Sequence, residues 1–530
     1  METVDNIEIL NTDDIVLDEQ QVITEEANTA SSLSTPQQPE ERSIKSAIDI
    51  VSIANEKAAI DHRHIFAKLL QEIQPINLRA AVGIKDDNTK LPKSDVVVQI
   101  IKAILNVAKK KKWNLCKRAG FVYIYNGEFW VTASKEDLEK FLGEAALKLG
   151  AGTQAEYFRF REELLKQFMA AAYLPKPNKD NTSVKVNFLN GTFIITPENQ
   201  ELREFKAEDF MTYQLPFNYD PQAEKPMFED FLSAVQPDFE RQKILAEYLG
   251  YLFIRTSHLK LEKILLIYGT GSNGKSVFFE VVNALLGGSH NISNFSLHSL
   301  TSENGYYRAK LGNVLLNYAS EINGKLESSI FKQLASGEPV EARLPYGDPF
   351  VITDYAKLIF NCNTLPSDTE QTYAYFRRFI IVPFEVTISE ADADKELAKK
   401  IIQSELSGIF NWVLEGLRRL LVQKTFTESH AVKEQLNQFR LQSDSVAMFV
   451  NDEDYKPEVN YFMTFKLFYE EYKYYCKDNG YRECSARTFS DRIKKLGFQS
   501  ERKGQGVVHV YTRDKKDAQP LNKVSFKRSL

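Results

Sequence analysis

The octet Gly269-Thr270-Gly271-Ser272-Asn273-Gly274-Lys275-Ser276 constrains this chain more than any other stretch of its 530 residues. It matches G-x-x-x-x-G-K-[ST], and its surroundings have the pattern that this motif requires. Before it, Lys263-Ile264-Leu265-Leu266-Ile267-Tyr268 is a nearly continuous apolar run, as expected of a strand buried on both faces of a parallel sheet. After it, Val277, Phe278, Val281, Val282, Leu285 and Leu286 recur at helical spacing. Strand, glycine loop and helix in this order predict an α/β core whose loop wraps phosphate. The glycines let backbone N–H groups curl around the anion, and the helix N-terminus adds partial positive charge. Lys275 is expected to neutralise the β and γ phosphates, and Ser276 to offer its hydroxyl to Mg²⁺. The predicted ligand is a nucleoside triphosphate with its magnesium ion.

Three further apolar runs extend the sheet. Val314-Leu315-Leu316-Asn317-Tyr318-Ala319 delivers Ser320-Glu321 at its C-terminal end, where open α/β sheets place ligand-binding groups. Glu321 is expected to polarise the attacking water and to contribute to the magnesium site. Lys357-Leu358-Ile359-Phe360 ends in Asn361-Cys362-Asn363, and the Asn363 amide is suited to orient water or sense the γ phosphate. Phe379-Ile380-Ile381-Val382 is preceded by Arg377-Arg378, a pair suited to stabilise transition-state charge across a subunit boundary.

The chain exceeds what one hydrophobic core organises, so several modules are expected. Its 43% hydrophobic and 26% charged content is that of a globular protein, and no apolar run approaches the roughly 20 residues of a membrane span. With no signal-like N-terminus, a cytosolic protein is expected. Cys116, Cys362, Cys476 and Cys484 are scattered, and His62 and His64 lack companion ligands, so neither a disulfide framework nor zinc is predicted. Residues 1–43 hold eleven acidic residues against Arg42 and read as a disordered tail; residues 485–530 carry a net charge of +8. Helical spacing is seen over Ile44–Glu72, Asp95–Lys110, Lys135–Ala172 and Met227–Phe253, and β-hairpins are expected around Asn126-Gly127 and Asn190-Gly191. A long helical pattern from Leu397 to Leu420 suggests a lid or collar on the core.

Near the C-terminus, Phe465, Phe468, Tyr469, Tyr472 and Tyr475 share a helical face and are expected to form core. Ser485 is placed to cap a second helix with Phe489, Ile493 and Leu496 inward and Arg487, Lys494 and Lys495 outward, followed by a hairpin from about Arg502 to Tyr511. Helix, helix and wing predict a winged helix-turn-helix that uses those three cations on DNA, with docking of another protein as the competing use.

Taken together, the phosphate loop, the carboxylate strand, the Asn strand and the paired arginines resemble the superfamily 3 helicases, in particular the primase-helicases of phages, plasmids and poxviruses. Asn187-Phe188-Leu189-Asn190-Gly191 with Leu215-Pro216-Phe217-Asn218-Tyr219-Asp220-Pro221 is similar to the region preceding that helicase, and Lys332 to Arg343 to its extra motif. The resemblance implies an AAA+ core in a hexameric ring, with ATP between subunits, Arg377 or Arg378 as the finger with Arg378 preferred, and a β-hairpin facing single-stranded DNA in the channel. The hairpin tip reads Leu344-Pro345-Tyr346-Gly347-Asp348 and lacks the basic residue usual there; Lys332, Arg343 or a stacking Tyr346 are the substitutes. No primase active site is recognisable, so a separate primase or polymerase partner is expected. The expected modules are an acidic tail (1–43), an α+β N-terminal domain (44–225), an AAA+ core (226–390), a helical lid (391–453), a winged helix (454–515) and a basic tail (516–530). The expected function is ATP-dependent unwinding of duplex at a replication fork; the competing one is an ATP-driven clamp or loader that does not unwind.

Overall fold

The computed structural model describes residues 62–86, 88–118, 121–172, 183–196, 199–320, 322, 327–345, 347–365, 372–503 and 507–513. The two terminal tails, Glu321 and Tyr346 lie outside the described residues.

Helices α1 (His62–Glu72), α2 (Lys93–Lys110), α3 (Lys135–Ala146) and α4 (Phe158–Ala171) pack around one apolar core with strands β1 (Leu115–Arg118), β2 (Phe121–Tyr125) and β3 (Trp130–Ala133) on its flank. The helical stretch expected over Lys135–Ala172 is two helices, because Gly150 and Gly152 adopt positive φ between them. His62 bonds the Asp137 carboxylate at 2.6 Å and so ties α1 to α3. The β2–β3 turn spans Asn126–Phe129, with the Asn126 Oδ1 accepting from the N–H groups of Glu128 and Phe129.

A second antiparallel sheet comprises β4 (Val184–Phe188), β5 (Gly191–Ile195) and β6 (Gln200–Arg203). Here the expected Asn-Gly turn is shifted by one residue. Leu189-Asn190 forms the turn, and Gly191 opens β5 with φ of 144°, where a Cβ would come within 2.5 Å of the Arg203 carbonyl of β6. Glycine is therefore set by the neighbouring strand as well as by the turn. Although the N-terminal module was expected to run to residue 225, Val186, Phe188 and Phe193 share a core with α5 (Pro226–Val235) and α6 (Phe239–Tyr251). These two helices replace the single one expected over Met227–Phe253, since Pro237 interrupts it and Asp238 caps α6 by accepting from Glu240 and Arg241.

The centre of the molecule is a five-stranded parallel sheet. Its strands are β7 (Ile264–Tyr268), β8 (Ile292–Ser293), β9 (Leu316–Ser320), then β12 (Lys357–Cys362) and β13 (Phe379–Pro383), in the spatial order β13-β7-β12-β9-β8. Side chains alternate between its two faces with period two. Leu265, Ile267, Ile359, Ile380 and Val382 enter one core; Ile264, Leu266, Leu358, Phe360, Phe379 and Ile381 enter the other. Burial on both faces is why β7 and β13 read as unbroken apolar runs. Helix α7 (Lys275–Leu285) and the expected collar, α9 (Leu397–Ser404) with α10 (Leu406–Gln423), line the first core. α10 meets α6 where Gly416 lies against Ala246 and Gly250 against Leu417, with no room for a Cβ at either. The second core takes α8 (Ser328–Ser336), the antiparallel pair β10 (Val340–Arg343) and β11 (Pro349–Ile352), and α11 (His430–Gln442).

Lys357, the first residue of β12, donates to the Thr256 hydroxyl at 3.0 Å and lies 4.5 Å from the Tyr251 ring centre. Burial pushes its ammonium down to about 8, against a smaller opposing effect of Asp354. In the unfolded chain it keeps its proton to about 10.4. Between those values the unfolded state binds more protons, so stability should rise with pH through that window, by on the order of 3 kcal/mol in full. Urea unfolding from pH 8 to 9.5 should show this slope in the parent and not in Lys357→Met; equal slopes would refute it.

At the C-terminal end, α12 (Ser445–Asp452), α13 (Phe465–Asp478) and α14 (Ala486–Lys495) enclose a core of Phe449, Phe468, Tyr472, Phe489 and Ile493. Short strands complete this part: β14 (Lys456–Pro457), β15 (Met463–Thr464), β16 (Ser500–Arg502), β17 (Val508–Val510) and β18 (Thr512–Arg513). β15, β17 and β16 form one sheet, and β14 pairs with β18. The aromatic stripe of α13 is core as expected, and Ser485 caps α14 by accepting from Thr488 N–H. Leu496 does not face inward as expected: it follows the last turn of α14 and is 37% exposed, while Phe498 fills the core instead.

Candidate active site

β7 runs directly into the glycine loop, whose start is clamped from both sides. Phe384 donates to the Tyr268 carbonyl at 2.7 Å from the β13 side, and the Gly269 N–H donates to the Cys362 carbonyl at 3.1 Å on the β12 side. Gly269 admits no side chain, because a Cβ would lie 2.4 Å from Asn273 Nδ2 and 2.5 Å from the Phe384 carbonyl. Gly271, Ser272 and Gly274 have φ of 121°, 48° and 78°. For Ser272 this is a strained conformation, held by the Ile388 N–H, which donates to its carbonyl at 2.7 Å. Gly274 precedes α7 without any side-chain cap, so the first N–H groups of an 11-residue helix have no side-chain acceptor.

Lys275 is 8% exposed. Its ammonium donates to the Gly269 carbonyl at 2.7 Å and to Asn273 Oδ1 at 2.6 Å, while Asn273 Nδ2 donates to the Phe384 carbonyl at 2.8 Å. Burial draws the lysine pKa below its ordinary value, and a bound anion would oppose that shift. Cys362 behind it is no competing nucleophile, since burial pushes its thiol up to about 12. Ser276 and Thr270 are exposed. Uncapped N–H groups, an ammonium and an exposed hydroxyl are a donor set that fits a phosphate chain and a hard divalent cation.

The strand order brings further groups to the same edge. β12 lies between β7 and β9, with Cys362 opposite Tyr268 and Asn361 opposite Ser320. Asn363, one residue past β12 and exposed, therefore stands at the level of Gly269. Asn361 is committed elsewhere, its Oδ1 accepting from the Tyr318 hydroxyl at 2.9 Å. Ser320, which carries the chain into Glu321, ends β9 at the same edge.

The arginine pair is not brought to this edge. Ile264 donates to the Arg378 carbonyl at the N-terminal start of β7 and β13, so five strand residues, about 16 Å, separate both arginines from the loop. Their side chains differ. Arg378 is buried, with Nε and Nη2 on the Ser336 hydroxyl at 3.2 and 3.0 Å and Nη1 on the Ala374 carbonyl. Arg377 has 38% side-chain exposure and pairs with Glu262, a residue in the left-handed region at φ of 55°. Glu262 is also bonded by Lys260 at 3.1 Å, and its carboxyl lies below the usual range. Burial opposes that shift, and Lys260 and Arg377 prevail. Sequence reading missed Glu262, since nothing local links it to a partner 115 positions away. It also missed Glu280, one turn beyond Ser276 on α7, whose half-buried carboxyl burial holds above its usual range.

The expected DNA-contacting residues are dispersed. Lys332 is half-buried on α8; Arg343 ends β10, exposed, with its Nε on the Gly347 carbonyl at 2.8 Å. Arg487, Lys494 and Lys495 are exposed on α14, whereas Arg492 of that helix turns to Asp444 at 3.0 Å.

Three family models match the chain. Residues 100–237 match "D5 N terminal like", residues 267–378 match a family of unknown function (DUF5906), and residues 441–527 match "Poxvirus D5 protein-like". A helicase-named protein of Acanthamoeba polyphaga mimivirus, L207/L206, is 22% identical over 254 residues, which is 46% of this chain and 26% of that protein. The chain thus spans about a quarter of that relative's length. Two solved structures of the C-terminal region of NrS-1 cover 77% of this chain and 97% and 98% of their own, at 12% and 10% identity with TM-scores of 0.43 and 0.42. A likeness that distant bears no weight here. The loop at the end of the parallel sheet thus lies between two stretches that resemble D5-type domains. The D5-type matches at residues 100–237 and 441–527, with the helicase-named relative, support a likeness to the phage and poxvirus type of primase-helicase family. No helix among the described residues is long and apolar enough to cross a membrane.

Proposed function

We propose that this chain is an ATP-dependent replicative DNA helicase of a phage, plasmid or related mobile element, with an AAA+ P-loop core that works in a ring, most simply a hexamer. One observation carries the reading: the loop at 269–276, Asn363 and the end of β9 meet at one edge of the sheet while both arginines lie at the other. A site so divided is complete only when a second copy supplies the arginine.

In this reading the loop N–H groups and the N-terminus of α7 bind the phosphate chain. Lys275 leaves the Gly269 carbonyl and Asn273 to neutralise the β and γ oxygens. Ser276 and Glu321 would hold a magnesium ion, which would supply positive charge to offset the negative charge developing on the phosphates. Glu321 takes the proton of the attacking water, and Asn363 orients that water against the γ phosphate. Arg377 is favoured over Arg378 as the finger, because it is exposed and held by an exchangeable ion pair, whereas Arg378 is built into its own subunit.

The β10–β11 hairpin would face single-stranded DNA with Arg343 and Tyr346, and Lys332 of α8 would add a cation beside it. The C-terminal helices and strands would act as a winged helix, with Arg487, Lys494 and Lys495 on duplex phosphates. The helicase name of the mimivirus relative supports this reading. A separate primase or polymerase is the expected partner at the fork.

With ATP and Mg²⁺, the full chain should displace the labelled strand of a forked duplex, and Lys275→Ala should not. DNA-stimulated hydrolysis without displacement would instead indicate a clamp or loader.

A further inference from the structure

At the N-terminal ends of β9 and β12, the edge of the sheet opposite the loop, the chain walls off a cavity of about 180 Å³. That is several times the volume of one water, roughly 30 Å³. Its walls come from five parts of the chain, among them Lys185 on β4, Phe210 beyond β6, Arg255 and His258 just after α6, Asn313 before β9, and Asp354 in the turn that leads to Lys357 at the start of β12.

The charges around this cavity do not balance. Asp209 is already shared by Lys185 at 2.8 Å and Arg203 at 2.6 Å. Glu208 lies exposed at the rim. That leaves Asp354, 3.7 Å from Arg255 Nε, as the carboxylate among Arg255, Lys357 and Arg118, whose guanidinium stacks 4.3 Å from the centre of the Phe210 ring in the wall. Burial lowers the Arg118 pKa, and so does the nearness of Arg255, opposed by Asp354. Lys357 and Arg118 are withdrawn from water, whereas the Arg255 side chain keeps 47% exposure and faces the open side; cations gathered around one carboxylate in this way favour an added anion. Asn313 adds a neutral donor, for its Oδ1 already accepts from the Tyr123 hydroxyl at 2.7 Å and its Nδ2 remains to donate.

We propose that this cavity is a second anion site, separate from the loop, which takes a phosphate group on Arg255, Lys357 and the Asn313 amide. A guanidinium fork and an ammonium match phosphate oxygens, and a phosphate supplies the missing negative charge. The group could be a backbone phosphate of single-stranded DNA or free inorganic phosphate, which present the same chemistry. Because the Asp354–Lys357 turn continues directly from β11, occupancy would stiffen the base of the β10–β11 hairpin.

The test uses the full chain carrying Lys275→Ala, so that the loop contributes least. Two probes are titrated: a fluorescein-labelled oligo-dT by anisotropy, and inorganic phosphate by broadening of its phosphorus resonance. Arg255→Ala should weaken binding about tenfold, as expected for a charge-assisted bond. Asp354→Asn, which removes the opposing carboxylate, should tighten it, an outcome that a merely destabilised variant would not produce. If oligo-dT responds, with its salt slope reduced by about one in Arg255→Ala, the phosphate belongs to DNA. If only inorganic phosphate responds, the site serves the free anion. No response from either probe, or both substitutions shifting affinity the same way, would overturn the proposal.

Discussion

Lys275→Ala should abolish nucleotide hydrolysis, with turnover falling on the order of 10³-fold, the scale seen when a preorganised donor to a developing anion is lost. The basis is local. The ammonium sits within the loop on the Gly269 carbonyl and Asn273 Oδ1, nearly buried, where its attraction for an anion is screened less than at the surface. The fold should survive. Asn273 still binds the Phe384 carbonyl, alanine is a good residue for the first turn of a helix, and α7 keeps Phe278, Val281, Val282 and Leu285 in the core. Phosphate release under saturating nucleotide checks the activity, and a thermal melt checks the fold. Turnover near the parent value in a folded Lys275→Ala chain would remove the loop from the mechanism.

Arg377→Ala and Arg378→Ala should separate two roles in adjacent residues. Arg377→Ala should leave nucleotide binding intact and lower turnover of the assembled protein by about 10³- to 10⁵-fold, the range for loss of an arginine finger. Arg378→Ala should chiefly destabilise, by about 1–3 kcal/mol, because the Ser336 hydroxyl and Ala374 carbonyl lose a buried partner. Urea unfolding of both variants checks that contrast. Since about 16 Å separates the arginines from their own loop, mixing Arg377→Ala with Lys275→Ala subunits should recover hydrolysis. An intact loop from one copy then meets an intact arginine from the other. Failure of the mixture to regain activity, with assembly verified, would count against an intersubunit site.

The elements legible from sequence were those whose determinants are local. The four long strands of the central sheet stood out because burial on both faces selects apolar residues at most positions, interrupted in β9 and β12 by Asn317 and Asn361. The loop was legible because positive φ at positions 271 and 274 and the crowded approach at 269 each select glycine. β8, with two residues, left no signal. The interruptions at Gly150 and Pro237 were present in the sequence but overridden by the helical periodicity on either side. Leu496 was misassigned by extending that periodicity one residue past the end of α14.

What the sequence determined by itself was a phosphate loop, the strands that carry it, and a set of candidate groups in chain order. Only the tertiary structure decided how those groups share space. Strand order cannot be read from chain order, yet it is β12 lying between β7 and β9 that sets Asn363 beside the loop. Burial likewise depends on what packs from elsewhere in the chain: Ser336 takes up Arg378, Glu262 holds Arg377, and the turn before β12 helps to close a cation-lined cavity. The physical reason is range. Backbone propensity and periodicity act over a few residues, whereas the electrostatics of a site are set by groups brought together across a hundred.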